Sequence, residues 1–301
     1  MDYYKFNGFS YYTNLDNEIE QGLSDTLRIE GTPSTESLLF RLLLGTINFK
    51  FDQFEELYKQ EICYSKIRDE FENRELDNPI ADWLNGEFGT GDLDWYFKRN
   101  RRNKALFDEL LVEFSLYFLN KNRGNNTSAF LHLYRALEYM SYSFPISYSS
   151  RVVGFYTSFD TFKDFFVNKD QGQLKFFREF INALFEKSLL LCRTTIDTYV
   201  GNEIYDKQKL KIIQRICKEF DYYDNGAVVQ IEYKYLLDFM VTLRNRYFHF
   251  QYDRGDNISN INFDGELFFE ALNDKFANWL SMIYLEVLTQ GVYKLTLTPV
   301  K

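Results

Sequence analysis

A helical bundle is what this sequence predicts, on three observations: apolar residues recur at steps of three and four, chain breakers are few, and strand-like alternation is scarce. Of 301 residues only 4 are Pro and 15 Gly, so little interrupts long helices. Hydrophobic residues make up 45% of the chain and aromatic ones 19%, and its 31 Phe and 23 Tyr imply a core filled largely by rings. The expected class is all-α, a helical bundle preceded by a mainly helical N-terminal region.

Taken in order, residues 1–33 are an aromatic and polar opening that ends at Gly31-Thr32-Pro33, and Ser34 or Thr35 with Ser37 then starts an apolar-periodic helix. A second helix is expected over 52–72. Asn78-Pro79 and the stretch 85–94, which contains Gly86, Gly89 and Gly91, read as a turn-rich connection. They place a boundary near residue 95, between an acidic region (1–95) and a helical domain (96–301). Helices in the second part are expected over 101–122, 126–143, 173–199, 205–220, 229–249 and 264–290, with loops at 122–127 and 253–257. The three glycines lack a following Lys-Ser/Thr and a strand context, which excludes a phosphate loop and nucleotide hydrolysis.

No stretch approaches the roughly 20 apolar residues of a membrane span. The opening Met1-Asp2-Tyr3-Tyr4-Lys5-Phe6 lacks the pattern of a signal peptide, so a cytoplasmic location is expected. Cys63, Cys192 and Cys217 are scattered and read as buried thiols. With two histidines, His132 and His249, and no paired ligand motif, no zinc site, metal or cofactor is expected. His132, between two leucines, reads as an interior or interface histidine, or as a supporting partner of a site elsewhere.

Charge is uneven. Residues 1–97 carry 8 Lys/Arg against 20 Asp/Glu, residues 98–125 carry 7 against 3, and residues 126–301 carry 20 against 21. A net charge of −9 argues against an unaided grip on nucleic acid, so an RNA partner would have to meet a local basic patch. Two runs qualify: Lys98, Arg99, Arg101 and Arg102, and then Lys207, Lys211 and Arg215 with Lys218 at helical spacing. The first run sits where a helix is expected to begin, where cations oppose the helix dipole and imply a compensating partner. Either run also reads as a solvated face.

The most informative tract is Arg244-Asn245-Arg246-Tyr247-Phe248-His249, near the end of a helix whose apolar stripe is Leu236, Met240, Leu243 and Tyr247. Asn245 and His249 share one helical face, and Arg244, about 100° away, can reach them only through its long side chain. A histidine can move protons near neutral pH, and an arginine can hold a phosphate and offset charge that develops on it. Arg246, three residues before His249, reads as a second phosphate ligand or a surface charge. Tyr247, Phe248 and Phe250 would seat the turn against neighbouring helices. The same residue types at a helix end can instead cap carbonyls.

An arginine, a polar residue, three variable residues and a histidine resemble the signature of HEPN domains, which occur in prokaryotic defence and toxin systems. The tract Phe130-Leu-His-Leu-Tyr-Arg-Ala-Leu-Glu-Tyr139 is similar to an early helix of many such proteins. The resemblance implies a dimerising helical domain in which two signatures face each other and cut RNA, either tRNA or mRNA, without a metal. It assigns proton transfer to His249, the scissile phosphate to Arg244 and orientation to Asn245, with cyclic-phosphate products. It also implies a toxin-like effector of antiviral or abortive-infection defence, with a possible antitoxin or sensor partner. Glu138 could orient Arg244 or His249, or pair with Arg135 on its own helix. The alternative is a non-catalytic interaction or scaffold subunit in which the signature serves packing.

Overall fold

A computed structural model of the chain describes residues 3–66, 78–84, 88–149, 172–185, 192–197, 203–217, 220–223, 228–249, 257–258 and 264–297. The fold is mainly helical, but two antiparallel sheets correct the all-α expectation.

The aromatic opening is a hairpin, β1 (Tyr4–Phe6) and β2 (Phe9–Thr13), followed by a short helix α1 (Asn17–Gly22). Helix α2 (Thr35–Leu43) starts where the serines place it: Ser34 Oγ accepts from the Ser37 N–H (3.1 Å) and Ser37 Oγ from the Ser34 N–H (2.9 Å). The chain then reverses at Gly45, whose φ of +68° suits glycine and whose missing side chain leaves room for the Glu61 backbone. Strands β3 (Ile47–Phe51) and β4 (Leu57–Tyr58) complete a sheet of order β1-β2-β3-β4, with Tyr11 opposite Phe49 and Phe49 opposite Tyr58. The helix expected over 52–72 is absent from its described part, and 67–72 lie outside the described residues. Phe49 stacks on Tyr58 across β3 and β4 instead, and Phe54, just past β3, packs against Phe51.

Helix α3 (Pro79–Leu84) leads to α4 (Thr90–Arg99), so residue 95 lies inside a helix. After a 3-10 turn, Asn100–Asn103, the hairpin of α5 (Lys104–Asn122) and α6 (Asn126–Ser149) forms the main helical pair, packed face to face. Helix α7 (Gly172–Leu184), strand β5 (Arg193–Asp197), helix α8 (Glu203–Ile216), strands β6 (Asp221–Tyr223) and β7 (Val228–Glu232), and helix α9 (Leu236–Phe248) follow. The long helix α10 (Gly265–Leu297) packs against α4, α6 and α7. The helices expected over 173–199 and 229–249 each lose part of their span to strands of the β5-β7-β6 sheet. Thr194, Thr195 and Ile196 favour extended backbone, and Val229 and Ile231 are buried while their neighbours are half-exposed, a period of two rather than 3.6. No helix among the described residues is long and apolar enough to cross a membrane.

Residues on both sides of position 95 enter one hydrophobic cluster. Polar side chains tie them as well. Tyr96 donates to Glu36 Oε1 (2.9 Å), Tyr284 to the Glu36 carbonyl (3.0 Å), and Tyr64 and Tyr117 to Asp274 Oδ1 (2.6 and 2.9 Å), where Lys121 also donates (2.5 Å). One turn further along α10, Asn278 accepts from Tyr233 (2.6 Å) and donates to the Tyr64 and Lys66 carbonyls.

Within the N-terminal region a buried arginine fixes the sheet to its helices. Arg41 donates to both Glu20 oxygens (3.0 and 2.8 Å), Thr13, the Leu27 and Thr46 carbonyls and Thr46 Oγ1. Burial raises the Glu20 carboxyl, but Arg41, the Ile29 N–H and Thr13 outweigh it and hold Glu20 below its ordinary 4.5. Because the folded carboxyl ionises below the unfolded one, its contribution is complete above that ordinary value and is lost as pH falls through the folded one. Arg41→Leu leaves the carboxylate buried without its cation, and urea denaturation at pH 7 should register a loss of about 3–5 kcal/mol. For the Arg41→Leu and Glu20→Leu double variant the loss should be smaller.

Candidate active site

The 3-10 turn Tyr233–Tyr235 delivers the chain into α9, and Leu236, Leu237, Phe239, Met240 and Leu243 bury one side of that helix. At its far end rings fix the last turn. Phe248 stacks on Phe130 of α6 (6.0 Å between centroids, 5° between planes), Tyr247 meets Phe269 of α10 edge-on at 5.0 Å, and Phe130 touches both Phe269 (4.6 Å) and Phe276 (5.7 Å). The two tracts singled out in the sequence, 130–139 and 244–249, therefore pack directly on one another. Phe250 lies outside the described residues.

On this seat the three signature residues converge. His249 is the first residue past the helix, with extended backbone (φ −110°, ψ 95°), which swings its ring toward Arg244. Arg244 Nη1 donates to Asn245 Oδ1 (3.1 Å) and to His249 Nε2. A guanidinium has no acceptor, so in this pairing Nε2 is the unprotonated nitrogen and the imidazole proton sits on Nδ1. Asn245 and His249 are exposed and Arg244 is half-buried. Among the described residues, Nε and Nη2 of Arg244 carry no hydrogen bond, which leaves a fork of donors of the kind that takes two oxygens of one phosphate. Among the described residues, none of the side-chain hydrogen bonds of these three residues goes to a helix carbonyl, as a capping role would require.

Beneath the guanidinium lies Tyr134, with Arg244 Cζ 5.0 Å from its ring centroid. Sequence reasoning quoted the tract that holds Tyr134 but did not select it. The available signal was its spacing: residues 130, 134 and 138 lie on one face of α6, and that face meets the signature helix. Glu138 is exposed and close enough to act on Tyr134 electrostatically, yet no hydrogen bond joins it to Arg244 or His249 among the described residues. Its alternative partner is also taken, since Arg135 pairs with Glu113 at 3.0 Å. Arg246 stands half-buried on the same turn, its carbonyl accepting the Ile258 N–H (3.0 Å). His132 belongs to another cluster, its Nδ1 2.8 Å from Glu113 Oε2 between α5 and α6.

The basic runs occupy different settings. Lys98 and Arg99 end α4 rather than begin a helix, so they complement its dipole and need no compensating partner on that account. Lys98 pairs with Asp94 (2.6 Å), Arg99 lies over Trp95 (5.2 Å), and Arg101 and Arg102 are exposed in the 3-10 turn. Lys207, Lys211 and Arg215 are exposed on one side of α8, which buries Ile212 and Ile213 and packs against α9. Lys218 lies outside the described residues.

Removing the seat should cost far more than removing the exposed acid beside it. Phe130→Ala should lower the unfolding free energy by about 3–5 kcal/mol in guanidinium titrations. Glu138→Gln should stay within about 0.5 kcal/mol of the parent.

The chain matches no family model, and no curated protein or solved structure is significantly similar to it. What the cluster can do follows from its own chemistry.

Proposed function

We propose that this chain is a metal-independent endoribonuclease of the HEPN type, acting as a homodimer and serving as a toxin-like effector in antiviral defence. The observation that carries the reading is the convergence of Arg244, Asn245 and His249, with Nε and Nη2 of Arg244 unbonded among the described residues. In this mechanism the guanidinium fork takes the scissile phosphate of a tRNA or mRNA. The phosphate competes with His249 for Arg244, and as the guanidinium turns to the anion the Nε2 lone pair is released. His249 then accepts the proton of the ribose 2′-hydroxyl as its oxygen attacks phosphorus, and Arg244 offsets the charge that builds on the phosphoryl oxygens. The P–O5′ bond breaks, the departing oxygen takes a proton, and the products are a 2′,3′-cyclic phosphate and a 5′-hydroxyl. Asn245 holds Arg244 in register through its side-chain oxygen. A second copy of the chain would supply the facing signature, and with it a second imidazole for the leaving oxygen.

Support for an RNA path comes from α8, whose exposed Lys207, Lys211 and Arg215 stand on a helix packed against the signature helix. For a chain of net charge −9 such a local strip is what a phosphate backbone requires.

The deciding experiment is cleavage of total RNA and tRNA in the presence of a chelator, with end analysis. Wild type should yield cyclic-phosphate ends. His249→Ala should lose about 10²–10⁴-fold in rate, the usual worth of a positioned proton carrier, while unfolding like the parent because the residue is exposed. Intact RNA with both proteins, each folded and dimeric, would instead favour a non-catalytic interaction subunit. A second expectation concerns salt: replacing Lys207, Lys211 and Arg215 by Ala should flatten the dependence of log affinity on log salt by up to about 2, at roughly 0.7 per lost phosphate contact on single strands.

A further inference from the structure

Arg244 is held from below by a residue that the signature does not contain. Tyr134 is only 5% exposed, its ring face lies under the guanidinium at 5.0 Å, and among the described residues its hydroxyl makes no hydrogen bond. The ring is itself fixed, one helical turn from Phe130, which is locked in the aromatic junction with Phe248 and Phe269. Burial raises the Tyr134 phenol above its ordinary value, Arg244 pulls it down, Glu138 pushes it up, and the net direction is upward. The phenol is therefore neutral at working pH, and its contact with Arg244 is that of a cation with a ring face, not an ion pair.

A ring face and a carboxylate hold an arginine in different ways. A carboxylate occupies the N–H fork and neutralises the charge, which would remove both features that recognise a phosphate. A ring face attracts the flat side of the guanidinium, leaving its edge donors and its charge for a ligand. Asn245 and His249, the hydrogen-bond partners of Arg244, are both exposed and reach it only at Nη1. The buried side chain that lies against the guanidinium is Tyr134.

We infer that Tyr134 is a positioning residue of the site, an aromatic floor that orients Arg244 with its edge toward the scissile phosphate while leaving its charge unneutralised. This rests on the nuclease reading, and its test separates the two. Three proteins are compared with wild type: Tyr134→Phe, which keeps the ring; Tyr134→Met, which keeps bulk without a ring; and a chain with pentafluorophenylalanine placed at Tyr134, which keeps shape and reverses the ring's electrostatic face. The first readout needs no catalysis: the Arg244 Hε resonance, assigned through Arg244→Lys, should be shifted upfield by the ring in wild type and Tyr134→Phe and should lose that shift in Tyr134→Met. The second is single-turnover cleavage, which should change less than about threefold in Tyr134→Phe and fall about tenfold or more in the other two, without loss of thermal stability in the fluorinated protein.

Cleavage by the fluorinated protein at the wild-type rate would overturn the inference, as would an unshifted Arg244 resonance in wild type. A loss in Tyr134→Phe as large as that in Tyr134→Met would overturn it too, by moving the role to the hydroxyl. If wild type cuts no RNA the nuclease reading falls. The anchor is then judged by the resonance together with affinity for an RNA carrying 2′-deoxy sugars, which should drop about tenfold in Tyr134→Met, and unchanged affinity would overturn it.

Discussion

Asp274 is a half-buried carboxylate on α10 at which three other parts of the chain meet. Tyr64 comes from the chain that leaves the N-terminal sheet, Tyr117 and Lys121 come from α5, and all three donate to one oxygen. Each donor offsets part of what partial burial of the carboxylate costs, so Asp274 favours the docking of these elements on α10. One turn later Asn278 does the same with neutral groups, and its partner Tyr233 opens the turn that leads into α9. The helix that carries these two polar residues also carries Phe269 and Phe276, which with Phe130 seat the end of α9. The placement of Arg244 and His249 thus follows from contacts at both ends of their own helix, each made to α10.

Tyrosine is the means by which this core is both apolar and specific. A buried ring supplies area, and where its hydroxyl is bonded to a partner the tyrosine selects one geometry among the many that would bury its ring equally well. Tyr11 with Ser115, Tyr96 and Tyr284 with Glu36, and Tyr64 and Tyr117 with Asp274 all join residues far apart in the chain. Burial raises the phenols of Tyr11, Tyr64, Tyr117 and Tyr284, so these hydrogen bonds keep their protons across the physiological range. The acidity of the N-terminal third is likewise partly internal: Glu20 and Glu36 are buried acceptors for partners in the fold, not surface charge.

The long helices were legible because their signals are long. The turn between α5 and α6 is polar and α2 starts at its two serines, so the starts of α2, α5, α6 and α10 lie within about three residues of those expected, while α6 and α10 run on to Ser149 and Leu297. The strands were not legible because each has five residues or fewer, and over that length a short apolar run, of Phe and Tyr in β2 and β3 or of Val and Ile in β7, fits a helix as well as a strand. What decides between them is the partner strand: β3 pairs with a segment about 40 residues earlier, and β5 with one about 35 residues later. The site divides in the same way. Arg244, Asn245 and His249 lie within six residues, and local spacing brings them together. Tyr134 is more than a hundred residues away and depends on how α6 packs. The run at Lys98 was misplaced for a local reason, since the break falls after Arg99 and puts the cations at a helix end instead of a beginning.

Two arginines in this chain show what separates a structural cation from one that can receive a ligand. Arg41 is fully buried, and its guanidinium is engaged along every nitrogen by Glu20, two hydroxyls and two carbonyls. Its charge is neutralised inside the protein, and nothing remains to bind. Arg244 is half-buried, its one flank held by neutral acceptors and its face resting on a neutral ring. Among the described residues its charge therefore has no counter-charge in contact, although an exposed carboxylate, Glu138, stands within electrostatic reach of the same tyrosine. A cation kept in that state is stabilised most by an anion that arrives from solvent, and an anion with two oxygens fits the vacant edge. In the proposed mechanism, selection between phosphate and carboxylate would fall to His249, because only a ligand that also presents a proton to Nε2 gains from the lone pair that Arg244 gives up. A phosphodiester flanked by a ribose 2′-hydroxyl would offer both.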